Sequence, residues 1–486
     1  MCGRGQVREK LSWRTCPLSM RVATALAIAV GFAACGAASQ TPSVLAAPAA
    51  EEADLRAIAQ ARVAVQRNRA VALSLFDAVS ATDVYAGSVS PGGAAVDEHA
   101  VFEIGSLTKT LTGALLADMV LNGEVSYDEP VQKFLPADVH LQVRGRPITL
   151  LDLATHRSGL PRLGQFGPAA DPENPFGSID AAELYAFLRQ FRPERAPEAQ
   201  FEYSNTGVGL LGHVLARRAG QSYEALLRER LLTPLGMNET GIALRPELEA
   251  RLVDGWTDVG YPTAHWTLPA LAGAGAIRST LHDMRIYLRA LMHPDASRVG
   301  RALREAAAVK WHGPSGETVA LAWFHGVTKT AKGQEVPRIL HFGATAGFKS
   351  YAIWVPGTGR AAVVLASGQS AHDLADYALF GLALGESTPR TPRIAIELTG
   401  EQRQAVVGHF RNPEGQVIEI ASTAHGLMVS TTPGEPALPL FAESPRRFFV
   451  KMADIVLEPV SPPDQLVTEW RLLQDGTVET FTRVAQ

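Results

Sequence analysis

The sequence predicts an α/β (α+β) protein: an antiparallel sheet flanked by helices with an inserted mostly helical subdomain, then a C-terminal all-β, barrel-like domain. Three observations lead there. Strand-like runs near both ends of the first 385 residues enclose a helical middle, a Pro- and Thr-containing linker follows, and past it only short alternating runs with turn residues between them occur. The 486 residues suffice for two or three domains at roughly 150 residues each. With 46% hydrophobic and 19% charged residues, the composition excludes a disordered, collagenous or small disulfide-stapled chain. A net charge of −4 with no basic stripe argues against a nucleic-acid partner.

The first segment reads as a secretory signal over residues 1–46. Arg4, Arg8, Lys10, Arg14 and Arg21 precede an apolar run from Val22 to Ala34, and Val44 and Ala46 suit signal-peptidase cleavage. That run is too short to span a bilayer. Met20 is an alternative start of the reading frame, since the signal is better proportioned from there. The segment holds five basic residues and one acid, leaving 40 basic and 48 acidic residues and a net −8 in the exported part. Cys2, Cys16 and Cys35 all lie in this leader, so the exported part relies on its core rather than on disulfides. Phe32-Ala33-Ala34-Cys35 is also an imperfect lipobox, which gives a membrane contact only if Cys35 is lipidated.

The larger unit is expected over 50–385. It opens with an amphipathic helix over 50–69 and β-leaning runs at Ala70–Phe76 and Asp83–Val89. A helix over Leu107–Leu121 carries Leu107, Leu111, Leu115, Leu116 and Met119 along one side, and Asn122-Gly123 ends it. Helices follow at 178–191, 206–219 and 222–232, then β-like runs at Val319–Phe324, Arg338–Phe342, Lys349–Val355 and Ala361–Ser367, and a helix at 371–384. Residues 386–393 form the linker. The final domain, 394–486, shows runs at Val417–Ala421, Leu427–Thr431, Arg447–Met452, Ile455–Pro459, Val467–Leu472 and Glu479–Val484, the spacing of a small barrel or meander.

Three motifs, each occurring once, could carry chemistry. In Ser106-Leu107-Thr108-Lys109, a serine at a helix start sits one turn from a lysine on the same face. Burial beside apolar residues lowers a lysine's proton affinity, making it a usable base for the serine. The chain has 37 Arg and 8 Lys, yet this position is Lys; an arginine could not release its proton. In Tyr203-Ser204-Asn205 a phenol and an amide precede a helix, and the phenol becomes a base only where a cation such as Lys109 stabilises the phenolate. In His341-Phe342-Gly343 a histidine ends a β-run, Gly343 admits close backbone approach, and the Ala344 N–H can face a cleft as an oxyanion donor. Taken singly, each motif also has a structural reading: a capped helix with a snorkelling lysine, a core tyrosine with an Asn cap, a lone core histidine. Their combination in this order is what favours chemistry. The histidines lack metal-ligand spacing, so no metal and no cofactor is expected. The absence of G-x-S-x-G counts against an α/β-hydrolase elbow.

Over roughly residues 55–385 the sequence resembles the serine hydrolases related to class C β-lactamases and penicillin-binding proteins, a group that includes esterases and D-amino-acid peptidases. The likeness extends to Gly123–Pro130, Leu153–Pro161 and Leu235-Gly236-Met237, which resemble the family's scaffold turns. It implies Ser106 as the acylated nucleophile, Lys109 as its proton partner and Tyr203 as the base that passes protons to the leaving group. Asn205 would orient substrate, His341 would stand where class C enzymes carry the third-motif lysine, and the N–H groups of Ser106 and Ala344 would form the oxyanion hole. His341-Phe342-Gly343 replaces K-T-G, and a histidine is only partly charged at pH 7, which weakens selection for an anionic drug. The implied function is exported hydrolysis of a small ester or amide, or of a D-amino-acid peptide. A β-lactamase, a D,D-carboxypeptidase and a non-catalytic sensor are the alternatives.

Overall fold

The computed structural model describes residues 52–167, 169–385, 393–424, 426–430, 437–451, 455–462, 465–474 and 477–484. Residues 1–46 with their three cysteines, read above as a signal, and residues 386–392 of the expected linker lie outside the described residues.

The central sheet contains β1 (Asn68–Phe76), β2 (Ala81–Gly87), β3 (Trp311–His312), β4 (Thr318–Val319), β5 (Phe324–Lys329), β6 (Glu335–Ala344), β7 (Phe348–Val355) and β8 (Arg360–Gly368), all pairs antiparallel. Their spatial order is β2-β1-β8-β7-β6-β5-β4-β3, so the N-terminal hairpin closes against the last strand. Alternation along β1 sends Val71 and Leu73 to one face and Ala70 and Ala72 to the other. Helices α1 (Glu52–Ala64) and the final helix of this unit (His372–Phe380) cover the first face through Leu55, Ala59, Leu374 and Ala375, with the buried Arg62–Asp373 ion pair between them. The helical insertion covers the second face. At its centre α2 (Thr108–Leu121) is buried from Thr108 to Met119 and packs on the helices Asn205–Ala219 and Arg298–Ala307.

Several boundaries differ from the sequence expectation. The first helix stops at Ala64, because Gln66 turns left-handed at φ 57° and hands Asn68 to β1. The run Val319–Phe324 is not one strand. Ala320–Trp323 is a wholly buried turn, with Ala322 at φ 63°, whose amides reach out to Ala306 and Ala154 carbonyls. The helix expected to 384 ends at Phe380, capped by left-handed Gly381.

Strands Gly408–Arg411, Val417–Thr423, Gly426–Ser430, Leu438–Ser444, Arg447–Val450, Ile455–Pro459, Glu469–Gln474 and Thr477–Arg483 close into a barrel. Trp470 fills it, meeting Phe410 and Phe448 edge-on at 6.1 and 5.3 Å. Two of these strands escape the sequence pattern. Gly408–Arg411 is only four residues, and Pro439 interrupts Leu438–Ser444. The barrel meets the first unit where Tyr261 stacks on Phe449 at 5.3 Å beside Val456.

Candidate active site

Ser106 lies in a tight 3-10 turn, Gly105–Leu107, directly ahead of α2. Gly105 is left-handed at φ 49°, and a Cβ there would sit 2.7 Å from the Ala344 nitrogen. A side chain is thus excluded on two counts, and the turn stays pressed on the end of β6. Lys109, one helical turn on, is fully buried; its Nζ lies 2.8 Å from Ser106 Oγ and donates to the Ala274 carbonyl at 2.6 Å. That carbonyl is held in place because Thr112 Oγ1 donates to Gly273 O at 2.7 Å and Ile277 N donates to Thr108 Oγ1 at 3.3 Å. Burial, reinforced by the Arg162 charge, drives the Lys109 amine well below its ordinary range.

Tyr203 enters from the loop before α3 (Asn205–Ala219), and its hydroxyl hydrogen-bonds Ser106. The cap of that helix is Ser204, not Asn205: Ser204 Oγ accepts from Gly207 N at 2.8 Å and donates to Pro161 O at 2.7 Å. Asn205 is half-buried at the first helical position, with its amide on the Arg162 carbonyl at 2.8 Å. Burial raises the Tyr203 phenol to about 12, against the smaller opposing effects of Ser106 and Arg162. Burial thus disfavours the phenolate of Tyr203 at rest.

His341, Gly343 and Ala344 form the end of β6. His341 is fully buried, stacked on Phe324 at 5.0 Å and 6.4 Å from the Tyr203 ring. Its Nδ1 donates to the Phe342 carbonyl at 2.7 Å, which leaves Nε2 as the lone-pair nitrogen. Burial and the Lys109 charge lower His341 to about 3, so it is neutral at pH 7 rather than partly charged. Phe342 lies opposite Tyr351 and packs with the helix-covered face of the sheet. A Cβ on Gly343 would fall 2.1 Å from Ile104 O and 2.8 Å from Ser106 N. Thr345 N bonds inward to Phe348 O at 3.0 Å, so the alternation of an antiparallel pair turns the Ala344 N–H outward, past the point where β5 has ended at Phe324.

Ser106, Lys109, Tyr203, His341, Gly343 and Ala344 therefore lie together, with Asn205 at the start of α3, two residues beyond Tyr203. Two more residues belong with them. His156, left-handed at φ 59°, stacks on Tyr203 at 4.5 Å and accepts from Ser204 N at 3.1 Å through Nδ1, and the Arg162 guanidinium stands 5.2 Å from the Tyr203 ring centre. Both lie in or beside the Leu153–Pro161 segment, where only a scaffold likeness was legible. Among the described residues, no group of three or more His, Cys, Asp and Glu is arranged to hold a metal ion. A hydroxyl beside a desolvated amine and a phenol, with the Ala344 N–H turned outward nearby, has the parts for acyl transfer.

Comparison with known proteins agrees with this architecture. Residues 54–386 match the β-lactamase family. A β-lactamase of Pseudomonas fluorescens is 28% identical over 305 residues, covering 56% of this chain and 80% of that protein. The D-alanyl-D-alanine-carboxypeptidase/endopeptidase AmpH of Escherichia coli K12 is 33% identical over 196 residues, and the β-lactamase of the same strain is 32% identical over 200 residues. Those two alignments cover 40% and 41% of this chain and half the length of each relative. A crystal structure of a β-lactamase/D-alanine carboxypeptidase from Yersinia pestis superposes with a TM-score of 0.58 at 23% identity, covering 67% of this chain and 95% of the other. On its fold and on the match across most of its length, the chain belongs to the β-lactamase family of serine hydrolases.

Proposed function

We propose that this protein is an exported serine hydrolase that cleaves a small ester or amide, or a D-amino-acid peptide, through an acyl-Ser106 intermediate. The observation that carries the reading is the fully buried Lys109 amine 2.8 Å from Ser106 Oγ. A neutral amine keeps one N–H on Ala274 O and uses its lone pair to take the serine proton as Oγ attacks the carbonyl. The carbonyl oxygen becomes an anion between the Ser106 and Ala344 amides. Tyr203 then gives its proton to the leaving oxygen or nitrogen, and the Lys109 ammonium, 5.1 Å from the ring centre, steadies the phenolate and re-protonates it. Water releases the acyl group by the reverse path. Asn205 and His341 bind substrate, the latter as an uncharged acceptor through Nε2.

The esterase or peptidase type is favoured over a β-lactamase because the third motif carries no cation: His341 is neutral. The names of the relatives favour the second reading, a β-lactamase or D,D-carboxypeptidase. One panel decides among them, comprising short nitrophenyl esters, D-alanyl amides and a chromogenic cephalosporin. Ser106→Ala is expected to lose turnover of every substrate that works, by at least about a thousandfold, with an unchanged circular dichroism spectrum. Turnover retained by that variant defeats the reading.

A further inference from the structure

The cleft contains a guanidinium that the chemistry above does not use. Arg162 follows Pro161 on the segment that holds up Tyr203. Its main chain is fixed, since its carbonyl accepts from Asn205 N at 2.8 Å and Thr206 N at 3.4 Å. Its side chain is half-exposed, with the guanidinium carbon 5.2 Å from the Tyr203 ring centre. The arginines around the cleft are otherwise engaged: Arg157 with Glu198 and Asp152, Arg195 with Glu202, Arg278 with Glu103. Among the described residues Arg162 makes no ion pair and no side-chain hydrogen bond, and its guanidinium lies over the face of Tyr203.

The other basic groups beside Ser106 are enclosed. Lys109 is fully buried with its amine between Ser106 Oγ and Ala274 O, and His341 is fully buried with Nδ1 on the Phe342 carbonyl; burial lowers the proton affinity of both. What remains is one planar, permanently charged fork over the ring of Tyr203, whose hydroxyl reaches Ser106, and it has the shape that takes a carboxylate in two parallel hydrogen bonds. From this placement we infer that Arg162 is a specificity-determining residue that grips a carboxylate on the substrate, so that the preferred ester or amide carries an anionic group within reach of the scissile carbonyl. The inference rests on the serine-hydrolase reading and narrows its substrate class. It also relocates anion recognition, from the end of β6 to the loop beneath Tyr203.

The test compares 4-nitrophenyl hydrogen glutarate with 4-nitrophenyl pentanoate, esters of equal chain length that differ in a terminal carboxylate. The intact protein is expected to favour the glutarate in kcat/KM. Arg162→Gln should reduce that ratio by about tenfold or more, the size of one charged hydrogen bond, mainly through KM. Arg162→Lys should restore part of it, and raising NaCl should narrow it in the unaltered protein. Using a ratio matters, because losing the Arg162 charge also eases protonation of Lys109 and so slows both esters alike at low pH. An equal effect on the two esters overturns the assignment while leaving the hydrolase reading standing. Hydrolysis of neither ester by the unaltered protein overturns this inference, and the hydrolase reading falls as well only if the D-alanyl amides and the cephalosporin also stay intact.

Discussion

At Lys109 the side chain's burial matters more than its charge. An amine that must be neutral to accept a proton cannot be replaced by a group that never deprotonates. Lys109→Arg is therefore expected to abolish turnover at every pH tested, and stopped assays between pH 6 and 9 check it. Glycine 343 is constrained from the opposite direction, by lack of space. With Ile104 O 2.1 Å and Ser350 Oγ 2.4 Å from a built Cβ, Gly343→Ala must push β6 away from Ser106. A displacement of that kind is expected to cost about a hundredfold in kcat/KM, measured on whichever ester the panel identifies. Two buried histidines supply a third prediction. His156 and His341 are both depressed by burial, so the folded state keeps them neutral while the unfolded chain protonates them below about pH 6.5. The unfolded state then binds more protons, and stability falls as pH drops from about 6.5 toward the His341 value of about 3, by on the order of 1 kcal/mol per pH unit for each ring. Urea midpoints at pH 7 and pH 5 report that slope, and His341→Gln should flatten it.

Secondary structure elements place these residues through contacts that sequence periodicity does not register. The apolar stripe on α2 announced a helix, and the three motifs announced the cleft, because a helix start, a loop and a strand end each have local signatures. The turn Ala320–Trp323 does not. Its residues are as apolar as a strand, yet its amides bond outward to helices, so only tertiary contact distinguishes it from one. The same holds for His156 and Arg162, whose roles come from stacking against Tyr203, some forty residues away. One consequence of the turn is measurable. In an exposed helix Gly→Ala stabilises by up to about 1 kcal/mol, but a Cβ on Gly113 of α2 would meet Leu321 O at 2.4 Å. Gly113→Ala is expected to destabilise by about 1–3 kcal/mol, the cost of overpacking, in an equilibrium denaturation.

At the scale of the whole molecule, the loop that meets the barrel through Tyr261 also braces the cleft. From Tyr261 under Phe449, this loop runs back to Asp254, whose carbonyl accepts from Ser367 Oγ at 2.6 Å, and Asp258 pairs with Lys349 at 2.8 Å. Gly347, in the turn after Ala344, has room for no side chain because Gly255 Cα lies 2.5 Å from a built Cβ. Loosening the barrel therefore reaches the strand end that carries the Ala344 amide. Tyr261→Ala is expected to separate one calorimetric unfolding transition into two and to lower kcat several-fold; a single unshifted transition with full activity contradicts this link.

Closure of the barrel also bears on how such a chain can be assembled from parts. Every one of its eight strands is paired with two neighbours, the last with the first, so it offers no open ladder of amides to another sheet. Where the two units meet, the Tyr261 ring packs with Phe449, Val456 and a few apolar neighbours. A module joined in that way can be grafted onto, or trimmed from, a related enzyme without exposing raw sheet edges, and its lineage is free to differ from that of the enzyme it accompanies.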